Sequence, residues 1–266
     1  MRTAGAGDSL FGAERLMDDT TQTNFAATLN ARLAPLDPWD RLAALREALP
    51  GERIVFTTSL GLEDQAITHM IATARLDICF ATLDTGRLFP EAYDVWARTE
   101  ALYGIRIEPF LPRADHTEAL VARDGVNGFR NSVEARKACC GVRKIEPLAR
   151  ALAGARGWVA GLRADQSDHR GALDIVTHDA ERGLFKLSPI FDWSRERVVD
   201  YVERNAIPVN ALHANGFLSI GCAPCTRAVA PGEPERAGRW WWEQEDKKEC
   251  GLHVAPDGRL VRAGSV

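Results

Sequence analysis

The sequence has no long apolar run and no excess of positive charge. No stretch approaches the roughly 18 apolar residues of a membrane-spanning helix. Residues 1–19 contain no apolar core of signal-peptide length. The formal net charge is −4, so nothing favours nucleic-acid binding through bulk charge. We therefore expect a cytoplasmic protein that binds neither nucleic acid nor a membrane.

Cysteine is scarce, and in the cytoplasm its six copies need an explanation other than stable disulfides. Cys139 and Cys140 are adjacent, and Cys222 and Cys225 form a Cys-x-x-Cys pair. Four thiolates suit either zinc or an iron–sulfur cluster. Adjacent helical positions point about 100° apart, so the adjacent pair favours a cubane, which offers each thiolate a separate iron. Two alternatives stay open: a zinc-stapled binding domain, or packing cysteines beside an isolated redox pair.

The other two cysteines have different surroundings. Cys79 lies in the apolar run "DICFATL", where core packing is the simplest interpretation. Cys250 follows Lys247 and Lys248 near the C-terminus and precedes a glycine. Nearby cations favour the thiolate, which is the reactive form of cysteine. The alternative is a tail cysteine without a role.

Neither a Walker loop nor a G-x-G-x-x-G motif is present. The segment "TTSLGLEDQ" (57–65) is instead a strand-to-helix turn whose hydroxyls and amides could hold phosphate or sulfate. Ser59 could also be only a helix cap. In "LDTG" (83–86), Asp84 could bind a ribose hydroxyl or merely satisfy a turn.

Short apolar runs alternate with helical patterns over most of the chain. This alternation predicts βαβ units in a mainly parallel α/β sheet, with ligands at the carboxyl ends of the strands. The predicted strands are 53–59, 77–85, 105–110, 157–163 and 184–190. Helices are predicted within 24–49, with a break near Pro35–Pro38, and at 62–74, 90–103, 143–154 and 194–205.

Three parts are predicted along the chain. Residues 1–22 form a loose arm, residues 23–208 an α/β nucleotide-binding domain, and residues 209–266 an irregular C-terminal segment lying on that domain. Basic residues cluster in the loops of the last two parts, beside the cysteines and at strand ends. Singly each is a solvated charge, but together they would suit a multiply anionic ligand.

In combination, the motifs resemble the assimilatory sulfonucleotide reductases, specifically their iron–sulfur adenosine 5′-phosphosulfate (APS) reductase branch. The matching segments are "TTSLGLEDQ", "LDTGRLFPE", "SVEARKACCGVRKIEPL", "GLRADQS", "GCAPCTR", "PGEPERAGRWWWE" and "KKECGLH". They extend from about residue 53 to residue 253. The order of the paired cysteines, the Cys-x-x-Cys and the final Glu-Cys-Gly-Leu-His is jointly very specific.

The resemblance implies a fold similar to the adenine-nucleotide α-hydrolases, which include the ATP pyrophosphatases. It implies one [4Fe–4S] cluster per chain on Cys139, Cys140, Cys222 and Cys225, with Cys250 as the catalytic nucleophile. It also implies a set of substrate-binding residues in the loops, the basic positions and the tail. These are Ser59, Gly61, Glu63, Asp64, Asp84, Thr85, Gly86, Lys144, Arg163, Gln166, Ser167, Arg236, Arg239 and His253.

The implied activity is reduction of APS to sulfite and AMP, with reduced thioredoxin as the protein partner and a Cys S-sulfo intermediate. A homo-oligomer is left open. The nearest alternative is a reductase of 3′-phosphoadenosine 5′-phosphosulfate (PAPS). An ATP-pyrophosphatase-type ligase or tRNA thiolase fits less well, because "SLGLED" (59–64) lacks the double glycine of their loop.

Overall fold

The computed structural model describes residues 19–166 and 174–243, which form a six-stranded sheet with associated helices. The strands are β1 (Ile54–Thr58), β2 (Cys79–Leu83), β3 (Glu108–Phe110), β4 (Gly157–Val159), β5 (Val176–Asp179) and β6 (Leu184–Leu187). Their order in the sheet is β3-β2-β1-β4-β6-β5. All neighbouring pairs are parallel except β5 and β6, which pair antiparallel. The predicted, mainly parallel α/β fold is therefore confirmed.

The α-helices vary from six to fifteen residues. They are α1 (Asp19–Leu33), α2 (Pro38–Ala48), α3 (Leu62–Thr73), α4 (Pro90–Tyr103), α5 (Ala114–Asp124), α6 (Val133–Cys140), α7 (Glu146–Ala151) and α8 (Arg195–Arg204). A π-helical turn, Gly141–Ile145, joins α6 to α7. Within the described residues, no helix combines the length and apolar character needed to cross a membrane.

Strand β1 lies in the centre of the sheet, and its first three residues are apolar without alternation. Ile54 and Phe56 belong to one hydrophobic cluster, together with residues of α1, α2, α3 and α8. Val55 belongs to a second cluster with Trp158 and residues of α7. Successive side chains of a strand point to opposite faces of the sheet. Because both faces are covered, the three successive residues Ile54, Val55 and Phe56 are all apolar.

Helix ends agree with the local sequence. Pro38 and Pro90 open α2 and α4, where the missing N–H costs nothing. Gly104 ends α4 at φ 65°, and its N–H donates to the Glu100 carbonyl. Ser132 caps α6 by accepting a hydrogen bond from the Ala135 N–H at 3.1 Å.

The five predicted strands are all present, and each is shorter than predicted. The edge strand β5 and helices α5 and α6 were not predicted, and α1 begins at Asp19, inside the predicted arm. The prediction that Cys79 lies in the core is wrong: it is the first residue of β2 and is exposed. Residues 209–243 form only 3-10 turns and one isolated bridge, between Thr226 and Arg239.

Candidate active site

The main pocket lies where the chain order of the sheet reverses. From β1 the chain continues outward through β2 and β3, and it then returns to β4 on the other side of β1. The pocket is lined by the carboxyl ends of β1, β2 and β4 and by residues 218–222 and 235–240. Ligands of open α/β sheets bind at such a reversal. The main pocket therefore lies at the carboxyl ends of the strands, where the sequence predicts a ligand.

Nine of the predicted substrate-binding residues line this main pocket. They are Ser59, Gly61, Glu63, Asp64, Thr85, Lys144, Gln166, Arg236 and Arg239. Asp84, Gly86 and Arg163 do not line it. Ser167, His253 and the predicted nucleophile Cys250 lie outside the described residues.

Asp64 organises the loop between β1 and α3. Its Oδ2 accepts hydrogen bonds from the backbone N–H and the hydroxyl of Ser59, both at 2.6 Å. The Asp64 carboxylate can lie here because residue 161, just after β4, is a glycine. A Cβ on residue 161 would overlap the Asp64 carboxylate and lie 3.1 Å from its Cγ. Burial raises the pKa of Asp64 from 3.8 to about 6, although the Ser59 hydrogen bonds act to lower it.

The raised pKa of Asp64 predicts a pH-dependent stability. Between about pH 4 and about pH 6 the folded chain binds more protons at this group than the unfolded chain. The free energy of unfolding therefore loses about 3 kcal/mol as the pH rises through this window, and the loss persists above it. Urea unfolding of the wild type and of Asp64→Asn at about pH 4.5 and about pH 7.5 measures the effect. A stability difference between the two proteins that is the same at both pH values would contradict it.

Arg163, one of the predicted substrate-binding residues, is buried among carboxylates. Its side chain is 0% exposed and is surrounded by three carboxylates. Nε donates to Glu63 at 2.9 Å, Nη2 donates to Glu235 at 2.7 Å, and Nη1 pairs with Asp165. Glu235 also lies 3.5 Å from Arg195. In this structure Arg163 therefore joins the first turn of α3 to the C-terminal segment.

The loop after β2 supports the Cys-x-x-Cys segment. Asp84 Oδ1 accepts hydrogen bonds from the Gly86 N–H and the Tyr93 hydroxyl, both at 2.9 Å, so it satisfies the turn. Thr85 Oγ1 lies 3.3 Å from Cys222 Sγ. The Ala223 N–H donates to the carbonyl of Arg87 at 2.8 Å. These contacts place Cys222 against the β2 loop, at the wall of the main pocket.

Four cysteines line a second, smaller space, which we call the cysteine cavity: Cys139, Cys140, Cys222 and Cys225. The adjacent pair ends α6 and the Cys-x-x-Cys pair forms a 3-10 turn. The cavity contains about 410 Å³ not filled by protein atoms, its open mouth included. Among the described residues, no three His, Cys, Asp or Glu side chains converge closely enough to hold one metal ion.

The same four thiols are the donor set of both metal sites considered from the sequence. A structural zinc needs four sulfurs at about 2.3 Å from one point. A cubane binds each thiolate at a different iron. The four thiols around the cysteine cavity supply one ligand for each of the four irons of a cubane, the site that the adjacent cysteine pair favours.

The charges beside the cysteine cavity act unequally on the thiols. Burial acts to raise the pKa of Cys222, but Lys144, the Thr85 hydrogen bond and Arg239 outweigh it, so this pKa is lowered. Burial and the neighbouring Cys222 raise the pKa of Cys225 to about 12.

The main pocket and the cysteine cavity share a wall. Lys144, Cys222, Arg239 and Trp240 line both. The Arg239 guanidinium is 7% exposed and lies 4.8 Å from the centroid of the Trp240 ring. The end of the main pocket next to the cysteines is therefore its cationic end.

Several residues of the main pocket were not predicted from the sequence. His213 lines it, with Nδ1 2.8 Å from the Phe217 carbonyl, and burial lowers its pKa. Trp240 and Glu235 also line the pocket, and the sequence indicates them only as parts of the segment "PGEPERAGRWWWE". The segment "NALHANG" (210–216) follows no strand, so strand-end reasoning could not point to His213.

Comparison with known proteins gives one consistent result. Residues 53–228 match the phosphoadenosine phosphosulfate reductase domain. The chain is 56% identical over 230 residues to the adenosine 5′-phosphosulfate reductase of Sinorhizobium fredii, covering 86% of this chain and 91% of that protein. It is 53% identical over 239 residues to the enzyme of that name from Agrobacterium fabrum, covering 90% and 91%.

Solved structures agree with these matches. The phosphoadenylyl-sulfate reductase of Candida auris, in a phosphate complex, superposes with a TM-score of 0.66 at 25% identity, covering 82% of this chain and all of that one. The FMN adenylyltransferase of Candida glabrata superposes with a TM-score of 0.50 at 14% identity, covering 90% and 81%, and shares the fold alone. Sequence and structure together thus show that the chain belongs to the phosphoadenosine phosphosulfate reductase domain family, as a relative of the adenosine 5′-phosphosulfate reductases.

Proposed function

We propose that this chain is a cytoplasmic enzyme of sulfate assimilation that reduces APS to sulfite and AMP with electrons from reduced thioredoxin. The names of the curated relatives support APS as the substrate. The observation that carries the proposal is the shared wall, where Lys144 and Arg239 stand between the main pocket and four cysteines. A substrate with a nucleoside at one end and two linked anions at the other matches such a pocket.

The first step is attack of the Cys250 thiolate on the sulfur of APS. A sulfur–sulfur bond forms, the bond from sulfur to the bridging oxygen breaks, and AMP leaves with the electron pair. The attacking and attacked groups are both negative, so the step needs fixed positive charge in a site that excludes water. Lys144 and Arg239 at the cationic end, with Arg236 elsewhere in the lining of the main pocket, supply that charge.

The second step regenerates the enzyme. One thiolate of thioredoxin attacks Cys250 Sγ, and sulfite departs with the electrons of the broken sulfur–sulfur bond. The second thioredoxin thiol then displaces Cys250 from the mixed disulfide. The dithiol supplies both electrons, so the balance requires no other reductant.

Cys250 is close enough in the chain to serve this pocket. It lies seven residues after Glu243, which is buried against α6. Seven residues span at most about 25 Å. The number of residues between Glu243 and Cys250 is therefore compatible with attack by Cys250 on a ligand in the main pocket.

The cysteine cavity would hold a [4Fe–4S] cluster on Cys139, Cys140, Cys222 and Cys225, because these residues supply the four thiols that such a cluster requires. When bound, the cluster would supply charge and rigidity beside the cationic end, without carrying the electrons of the reaction. We expect about four irons and four sulfides per chain after anaerobic purification. Iron and sulfide analysis tests this, and stoichiometric zinc without iron would contradict it.

Steady-state rates with APS and PAPS test the substrate. The likeness to the Candida auris structure, a PAPS reductase by name, makes PAPS the second candidate. We expect kcat/KM with reduced thioredoxin to be higher for APS. Equal or higher kcat/KM for PAPS would overturn the assignment, and sulfite formation without thioredoxin or another dithiol would overturn the mechanism.

A further inference from the structure

Gly221 lies directly under the guanidinium of Arg239. A Cβ placed on Gly221 would overlap Nη2 of Arg239 and lie 2.5 Å from its Cζ and 2.8 Å from its Nη1. Real Cβ atoms essentially never come within 3.0 Å of another heavy atom. An alanine at position 221 and the present position of Arg239 are therefore incompatible.

Backbone conformation does not explain this glycine. Gly221 does not have a positive φ, whereas the nearby Gly216 has φ 80°. The backbone at position 221 is thus open to any L-residue. Position 221 instead requires a residue without a side chain, because the end of the long, flexible Arg239 side chain occupies the space that a Cβ would fill.

Arg239 is held in this position from more than one side. Its guanidinium lies near the Trp240 ring, and it is almost completely buried. Gly221 itself lines the main pocket and precedes Cys222. Displacing Arg239 would cost the fold little, since an arginine can rotate away, but it would remove one cation from the cationic end.

We propose that Gly221 is a positioning residue that acts through Arg239: its lack of a side chain lets the guanidinium lie against the backbone and face the anionic end of the ligand. This inference rests on the proposed function for the identity of that ligand. The packing itself depends only on the two residues.

The experiment combines Gly221→Ala with Arg239→Ala. We expect Gly221→Ala to lower kcat/KM for APS by about 10²-fold, comparable to removal of one preorganised donor. The dissociation constant of AMP, measured by calorimetry, should rise about tenfold, as for one lost charge-assisted hydrogen bond. In the Arg239→Ala background, Gly221→Ala should change neither quantity by more than about twofold.

Gly141→Ala is the matched control. Gly141 also adjoins a cysteine of the cavity, a Cβ there meets nothing within 4 Å, its φ is −54°, and it lines neither space. Wild-type kinetics and iron content are expected for it. If Gly221 were needed only for the fold, Gly221→Ala would contain less iron. Its loss of kcat/KM would then persist in the Arg239→Ala background.

Two results would overturn the inference: unchanged kinetics in Gly221→Ala, or an equal loss with and without Arg239. A crystal structure of Gly221→Ala decides the packing independently, because Arg239 must then occupy a different position. If the wild type binds AMP but does not reduce APS, the proposed function fails, while the AMP measurements still test the positioning role.

Discussion

Cys250→Ser is expected to form no measurable sulfite from APS, a loss of at least about 10⁴-fold in kcat. A serine hydroxyl is a far weaker nucleophile than a thiolate, and it offers thioredoxin no sulfur to attack. The variant should still bind AMP and retain its iron, because Cys250 is not one of the four cysteines of the cavity. Sulfite release, AMP binding and iron content are measured on the same preparation.

The unmodified enzyme should show the intermediate directly. Given APS without a dithiol, it should release about one AMP per active site and then stop, as covalent catalysis requires. Mass spectrometry should find an added SO₃ on the peptide containing Cys250, removable by dithiothreitol. Cys79→Ser is the matched control, since Cys79 is exposed at the start of β2 and lines neither the main pocket nor the cysteine cavity. Normal turnover of Cys250→Ser, or a label on Cys222 or Cys225, would refute the mechanism.

The predictable part of the fold is the part with strong local patterning. Strand β1 is apolar because both of its faces are buried, and α4 carries a proline at its start and a left-handed glycine at its end. Strand β5 contains the buried polar residues His178 and Asp179, so its sequence is not an apolar run that would predict a strand. Helix α5 buries only Leu120, so it has no apolar face to recognise.

The same distinction applies to the site. Strand-end loops are local features, and they correctly indicated where the main pocket lies. The partners of Arg163 are not local: Glu63 is 100 residues away and Glu235 is 72 residues away. The sequence therefore shows Arg163 only as a cation at a strand end, and the fold alone shows the carboxylates that surround it. The requirement for glycine at 221 is similarly invisible until Arg239 is placed against it.

A buried ion pair connects the cysteine helix α6 to Glu243 of the C-terminal segment. Arg136 donates to Glu243 through Nε at 3.0 Å and Nη2 at 2.9 Å, and the two side chains are only 1% and 4% exposed. The Arg136 guanidinium also lies 4.6 Å from the centroid of the Trp240 ring. Arg136 precedes Cys140 by four residues in the helix, so both lie on the same helical face. The pair thus ties the cysteine cavity to the segment that leads to Cys250.

Glu243→Ala is expected to lower the free energy of unfolding by about 3–5 kcal/mol, because it leaves the buried Arg136 charge without its carboxylate partner. Removing both partners, in Arg136→Met with Glu243→Leu, should restore most of this stability. Anaerobic urea unfolding measures both changes. Asp200→Ala is the control: it breaks the exposed pair with Arg204 and should cost about 1 kcal/mol or less.

Stability and activity should separate in the double variant. If the ion pair only stabilises the fold, then restoring stability restores kcat as well. If it also positions the segment that carries the nucleophile, kcat stays low in the stable double variant, while the dissociation constant of AMP, which is set within the main pocket, stays near that of the wild type. We expect the second result, because Glu243 lies seven residues before Cys250 and both of its carboxylate oxygens accept hydrogen bonds from Arg136 on the cysteine helix. Recovery of both stability and kcat would assign the pair to the fold alone.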